Sequence, residues 1–97
     1  MHFTIVCTDK PDGAAIREAS RAAHRAYLEP NQPKILHAGA QLDTQGRPCG
    51  SLFIIEVADR AEAERFSAND PYFKAGLFES VEIRTYRLSI RDGVRVN

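Results

Sequence analysis

Two stretches hold the residue types that proton-transfer chemistry uses: RAAHRAYL at 21–28 and SANDPYFKAG at 67–76. His24 stands in the first and Asp70 in the second. The ordinary pKa of histidine lies near neutrality, so it can serve as a general acid or base. A carboxylate within reach of one ring nitrogen would fix the tautomer and raise the basicity of the other. Arg21 precedes His24 by three positions and Leu28 follows it by four, so the three share one flank of a helix. Plainer readings exist for both residues. A lone histidine at the edge of an apolar stripe is often a half-buried surface residue. Asp70 is also a natural N-cap, because Pro71 keeps it out of the helical region and suits the first position of the next helix. Asn69 can end the helix before it. Spacing alone leaves both readings open.

Other polar residues point less sharply to chemistry. Ser51 follows Gly50 at the start of a strand, where it could touch a ligand or be structural. Tyr72 could offer its hydroxyl to a ligand while its ring packs under the second helix. His2 and His37 fall on strands with no partner at a metal-ligand spacing, and HxH and HExxH are absent, so no metal is expected. No cofactor motif is present either. Cys7 and Cys49 form no CxxC or CxH pattern, and Cys49 lies in a Pro-Cys-Gly turn without an activating neighbour. Two cysteines make no disulfide framework, and a reducing cytoplasmic setting is the simplest expectation. The start, MHFTIVCTDK, has no basic leader region, and no run approaches the roughly 18 apolar residues of a membrane span.

The chain has 97 residues, which suits a single domain, with a core over about 1–90 and a tail at 91–97. The 13 basic and 13 acidic side chains cancel, which argues against a nucleic-acid binder working by phosphate neutralisation. Ten of the basic residues are arginine, whose rigid fork suits carboxylates and phosphates, so single anion sites are open. Repeats and low-complexity segments are absent.

The elements that must position these residues follow from periodicity. His2–Thr8 alternates and is rich in β-branched and aromatic residues, predicting a strand with Phe3, Ile5 and Cys7 on one face. Residues 14–29 turn helical, with Ile16, Ser20, Ala23 and Tyr27 on one stripe and Ala19 beside it, and Pro30, Asn31 and Pro33 end the run. Ile35–Leu42 reads as a strand, DTQGRPCG as a turn or hairpin loop, and Ser51–Val57 as the strongest strand in the chain. Asp59 with Glu62 resembles a capping box for a helix over Arg60–Ala68. A turn of helix is expected at Pro71–Ala75, and a strand over Val81–Ile90. The tail RDGVRVN carries no expected element. The order βαββαβ is the split-βαβ, ferredoxin-like α+β motif: a four-stranded antiparallel sheet with two helices on one face. Leu52, Ile54 and Val6 fall on the other face, which should be polar if it meets water. A second copy of the chain, packed sheet on sheet, is the expected cover.

RAAH at 21–24, HAGA at 37–40, GSLFIIEV at 50–57 and AEAERFSANDPYFKAGLFE at 61–79 together resemble the YciI-like (YCII-related) family. The resemblance runs from the first strand to about Leu88. DPY-x-x-AG is its most specific part, followed by the histidine on the first helix. It implies ferredoxin-like domains that pair as dimeric α/β barrels, and a site built on the positions of His24 and Asp70, with Arg21 at the family arginine. Many relatives have AGP where this chain has Ala38, Gly39 and Ala40. Elimination of chloride from a chlorinated hydroquinone is an activity associated with one branch.

Two functions are thereby in view. One is a small cofactor-independent enzyme acting on a small cyclic or aromatic molecule, with His24 and Asp70 in acid–base roles and Arg21, Ser51 and Tyr72 as substrate contacts. The other is a non-catalytic dimeric module that binds a small molecule or a protein. A third architecture-level likeness, to dimeric α/β-barrel monooxygenases, lacks support from tryptophan, flavin or haem motifs.

Overall fold

Alternation in the first strand decides the architecture. In β1, His2–Asp9, the side chains of Phe3, Ile5 and Cys7 are at most 1 % exposed, while Thr4 and Val6 between them are half-buried. The computed structural model describes residues 1–97. After β1 come α1 (Ala14–Asn31), a 3-10 turn (Gln32–Lys34), β2 (Ile35–Leu42) and β3 (Pro48–Glu56). Then follow α2 (Arg60–Ala68), α3 (Pro71–Lys74), β4 (Phe78–Tyr86), β5 (Ile90–Arg91) and β6 (Val94–Arg95). The main sheet has four strands in the order β2-β3-β1-β4, every neighbouring pair antiparallel. This is the α+β, ferredoxin-like arrangement that the element order implies.

The register places Ile5 opposite both Phe53 and Ile83, and Phe3 opposite Ile55. Phe3, Ile5, Cys7, Phe53, Ile55 and Val57 therefore point to one face, where they pack with Ala63 and Phe66 of α2. Tyr27 of α1 donates its hydroxyl to the Phe66 carbonyl at 2.9 Å, tying the two helices together over that face. The α2 N-terminus is capped as expected: Asp59 accepts from the Glu62 amide at 2.9 Å. Glu62 reaches back to the Ala58 amide, one residue before the cap, at 3.2 Å.

Several boundaries differ from expectation, for reasons of pairing. β3 begins at Pro48 rather than Ser51 because Pro48 and Gly50 find partners in Leu42 and Gln41 of β2. Proline is tolerated at that first strand position. β4 runs Phe78–Tyr86 rather than Val81–Ile90, because its ladder partner β1 extends only from His2, opposite Tyr86, to Asp9, opposite Phe78. The tail is structured: β5 and β6 form a hairpin whose turn, Asp92-Gly93, has positive φ at both residues (52° and 78°). An Asp-Gly pair is the composition that such a turn selects. The first helix continues through Pro30 to Asn31, whose side-chain amide donates to the Tyr27 carbonyl at 2.8 Å. That helix also departs in part from its expected stripe. Ile16, Ser20 and Tyr27 face inward as expected, but Ala19 and Ala23 are exposed and Arg17, His24 and Leu28 face inward beside them. Two small alanines lose little by exposure, whereas Arg17 and His24 gain buried carboxylate partners.

Candidate active site

The site lies between α1 and the sheet, and two carboxylates organise it. Asp9 at the end of β1 takes a bidentate ion pair from Arg17, with Nε and Nη2 each 2.9 Å from a carboxylate oxygen. Arg17 Nη2 also donates to the Gly50 carbonyl at 3.1 Å and to Ser51 Oγ at 3.2 Å. Burial pulls the pKa of the Arg17 guanidinium down, but the hydrogen bond and charge of Asp9 outweigh it and the net direction is up. Gly50 is required by the close approach of two strands: a Cβ there would stand 2.5 Å from the Cys7 carbonyl oxygen.

Asp70 is the second organiser. Its backbone is extended (φ −62°, ψ 125°), as a residue before proline prefers, and its Oδ1 caps α3 by accepting from the Tyr72 amide at 2.9 Å. The same Oδ1 lies 2.8 Å from His24 Nδ1. Both side chains are largely enclosed, 13 % exposed for His24 and 3 % for Asp70. A carboxylate only accepts, so Nδ1 carries the proton in the neutral ring and the Nε2 lone pair is left free. Tyr72 stacks on the His24 ring, with centroids 3.9 Å apart and planes at 14°. Phe53 meets the same ring edge-on at 6.4 Å. The Tyr72 ring thus packs against α1 rather than under α2, with the Arg17 guanidinium 4.8 Å from its centroid.

These groups border one cavity of about 310 Å³. Arg17, Arg21, His24 and Arg25 line it from α1, Ser51 and Phe53 from β3, Ala38 to Ala40 from β2, and Tyr72 from α3. Asp70 stands behind His24. The five residues expected from the sequence (His24, Asp70, Arg21, Ser51, Tyr72) are therefore gathered at a single place. Arg17, Asp9 and Phe53 join them, and sequence reasoning misses all three. A signal for Arg17 exists: it precedes His24 by seven positions, two helical turns, on the same face. Asp9 has no local signal, because its role exists only through contact with α1.

The buried carboxylates are felt nearby. The Cys7 thiol is pushed up to about 12, first by burial, then by the charges of Asp70 and Asp9, with Arg17 opposing. The Tyr27 phenol is raised by burial and by Asp70. A larger hollow of about 790 Å³ lies elsewhere, where the C-terminal hairpin meets the ends of β1, β3 and β4. There His2 Nε2 is 3.6 Å from the nearest Glu56 oxygen, too long for a hydrogen bond, and has no other partner. His37 is exposed on β2. No three His, Cys, Asp or Glu side chains converge in a metal-holding group, and no helix is long and apolar enough to cross a membrane.

Comparison with known proteins adds to this geometry. A family model described as the YCII-related domain matches residues 1–87. The solved 5-chloro-2-hydroxyhydroquinone dehydrochlorinase of Burkholderia phenoliruptrix AC1100, in complex with 2,5-dihydroxybenzoquinone, is similar over 90 % of this chain and 94 % of that one. The two are 35 % identical, with a TM-score of 0.85. A Pseudomonas aeruginosa protein of known structure shares 22 % identity over 90 % of this chain and 92 % of its own, with a TM-score of 0.52. A solved antibiotic biosynthesis monooxygenase is 19 % identical over 91 % of this chain and all of its own, with a TM-score of 0.50. The last two likenesses show the fold alone. Among curated proteins there is no match.

Proposed function

The chain belongs to the YCII-related domain family, and we propose that it is a small cofactor-independent enzyme in which His24 and Asp70 carry out acid–base chemistry on a hydroxylated ring. The observation that carries this reading is the 2.8 Å contact between His24 Nδ1 and Asp70 Oδ1 at the wall of a cavity open to solvent on one side. Asp70 fixes the ring and stabilises the imidazolium that forms when Nε2 takes a proton. Arg21, Ser51 and Tyr72 contact the substrate, and Arg21 answers its negative charge.

The likeness to a dehydrochlorinase supports an elimination. In that reaction Nε2 removes a proton from a ring hydroxyl, and protonation of a ring carbon gives the keto form. Loss of the second hydroxyl proton then converts that C–O bond to a carbonyl as the carbon–halogen bond breaks. The halide leaves with the bonding electron pair, so the ring reaches the quinone level with no external oxidant, and the net change is loss of HX. Isomerisation needs only the first half, with the proton returned at a different atom. One histidine suffices for either, because general acid–base catalysis uses the same nitrogen in both directions.

The test is chloride release from 5-chloro-2-hydroxyhydroquinone, followed alongside the quinone absorbance. His24→Ala should lower turnover by roughly 100-fold or more in protein that circular dichroism shows to be folded, even if its melting temperature falls with the loss of the Asp70 pair. Full activity in that variant sinks the mechanism.

A homodimer formed through the open sheet face completes the assembly, supported by the part-exposed Leu52 and the half-buried Val6 and Ile54 on that face. The free thiols of Cys7 and Cys49 fit a reducing cytoplasm. The alternative, a binding module without turnover, draws on one feature: the Asp70 cap on Tyr72 gives that residue a structural task that needs no chemistry.

A further inference from the structure

We propose that the molecule this cavity accepts is a hydroxylated aromatic or cyclic carboxylic acid, its hydroxyl at His24 and its carboxylate held at the mouth by Arg21 and Arg25. This rests on the reading of the cavity as a substrate site. It names a group that a simple hydroquinone lacks.

The observation is a row of charge that the fold leaves unanswered. Arg17, Arg21 and Arg25 follow one another at intervals of four along α1 and therefore stand in line on one side of the helix. All three border the cavity, and no Asp or Glu borders it. The innermost, Arg17, is neutralised by Asp9 and buried. Arg21 and Arg25 are exposed and form no ion pair, although Glu18 and Glu29 lie on the same helix. Outside α1 three arginines find partners, Arg47 with Asp43, Arg60 with Glu64 and Arg84 with Glu82, while Arg65, Arg87, Arg91 and Arg95 stay unpaired; only Arg21 and Arg25 are unpaired at this cavity. Two uncompensated guanidinium groups at one opening raise the local concentration of anions and repel cations.

The form of the anion follows from the walls. Facing α1 across the cavity, β2 presents Ala38, Gly39 and Ala40, which offer a flat surface without polar side chains. At about 310 Å³ the space is at the small end of ligand pockets, which run from about 300 to 1,000 Å³, and suits one ring. The opening meets the middle of α1, whose first turn begins at Ala14, so no run of free helix amides faces it as phosphate sites usually have. Guanidinium forks bind carboxylates and phosphates alike, and without helix amides beside them they favour the planar carboxylate, held by two parallel N–H bonds to two oxygens.

Calorimetry on the full chain with two probes tests this, 1,4-dihydroxybenzene and 2,5-dihydroxybenzoate, with the His24 ring signals in NMR reporting where each binds. The acid should bind about tenfold more tightly, the scale of one charge-assisted bond at an accessible site. That ratio should fall to near one in Arg21→Gln/Arg25→Gln and persist in the control Arg60→Gln on α2. Equal binding of the two probes, both moving the His24 signals, overturns the carboxylate and leaves the cavity's role standing. If neither probe moves those signals, the carboxylate and the cavity's role are both overturned. Preference for 4-hydroxyphenyl phosphate over the acid, lost in the same double variant, replaces the carboxylate by a phosphate and also overturns the proposal.

Discussion

The two faces of the sheet are built from one set of strands and come out differently. Under the helices, polar groups are placed as carefully as apolar ones. Arg17 answers Asp9, His24 answers Asp70, and Ser51 accepts from Arg17, all among side chains that water hardly reaches. On the opposite face Leu52 is 37 % exposed, Val6 and Ile54 are half-buried, and His2 Nε2 has no hydrogen-bond partner. The C-terminal hairpin adds Ile90, Val94 and Val96, each more than half exposed. The difference teaches where each face gets its order. The helix face is completed within one chain by pairs that fix one another's geometry. The open face carries apolar side chains beside exposed charges such as the Arg84–Glu82 pair, with no buried pair to fix its geometry.

Breaking a pair on the ordered face should have the largest effect. Arg17→Ala leaves Asp9 buried without its counter-ion, a loss expected at about 3–5 kcal/mol by urea unfolding. A variant that unfolds at the wild-type midpoint would mean that the ion pair contributes nothing. Next comes Asp70→Ala, with a cap loss of about 1–2 kcal/mol. On the enzyme reading the same change also removes most turnover, while on the binding-module reading it removes stability alone. Paired measurement of melting and chloride release separates the two.

Changes on the open face should be milder for the single chain. Leu52→Arg is expected to alter its unfolding free energy by no more than about 0.5 kcal/mol. In light scattering it should shift mass from dimer toward monomer. A wild type that is monomeric at high concentration removes the dimer. The smallest effect concerns the thiols. At pH 8 a disulfide reagent should label Cys49, which is exposed, and spare Cys7, which is buried and has its pKa pushed up to about 12. Because the folded value lies above the ordinary 9.0, this thiol favours the fold fully below pH 9 and ceases to do so as pH rises through about 12. Rapid labelling of both cysteines at pH 8 would show that the ordered face opens.

Local chemistry makes some of this legible in the sequence. The bounds of α2 follow from Asp59, Glu62 and Asn69, all within or beside the segment itself. The cap at Asp70 follows from Pro71 and needs no knowledge of the rest. The Asp-Gly hairpin in the tail is equally local, yet periodicity misses it, because two-residue strands are too short to show a period. What stays hidden depends on distant partners. The inward turn of α1 is set by Asp9, before the helix, and by Asp70, 46 positions after His24. No spacing rule spans such a gap. The family resemblance supplies what periodicity cannot, by tying DPY to the helix-1 histidine. Arg17 shares the face of His24 by spacing, yet the spacing gives it no role, since a charged residue is expected to face water until a buried carboxylate is found for it.

Asp70 Oδ1 accepts from the Tyr72 amide and contacts His24 Nδ1 at once. α3 is only four residues long, too short to hold together by itself, so that amide is protected mainly by the carboxylate. Its deuterium exchange therefore works as a clock for the site: each exchange event marks a moment when the oxygen has let go of the Tyr72 amide. Any molecule that settles against the histidine should slow that clock at a backbone position it never touches.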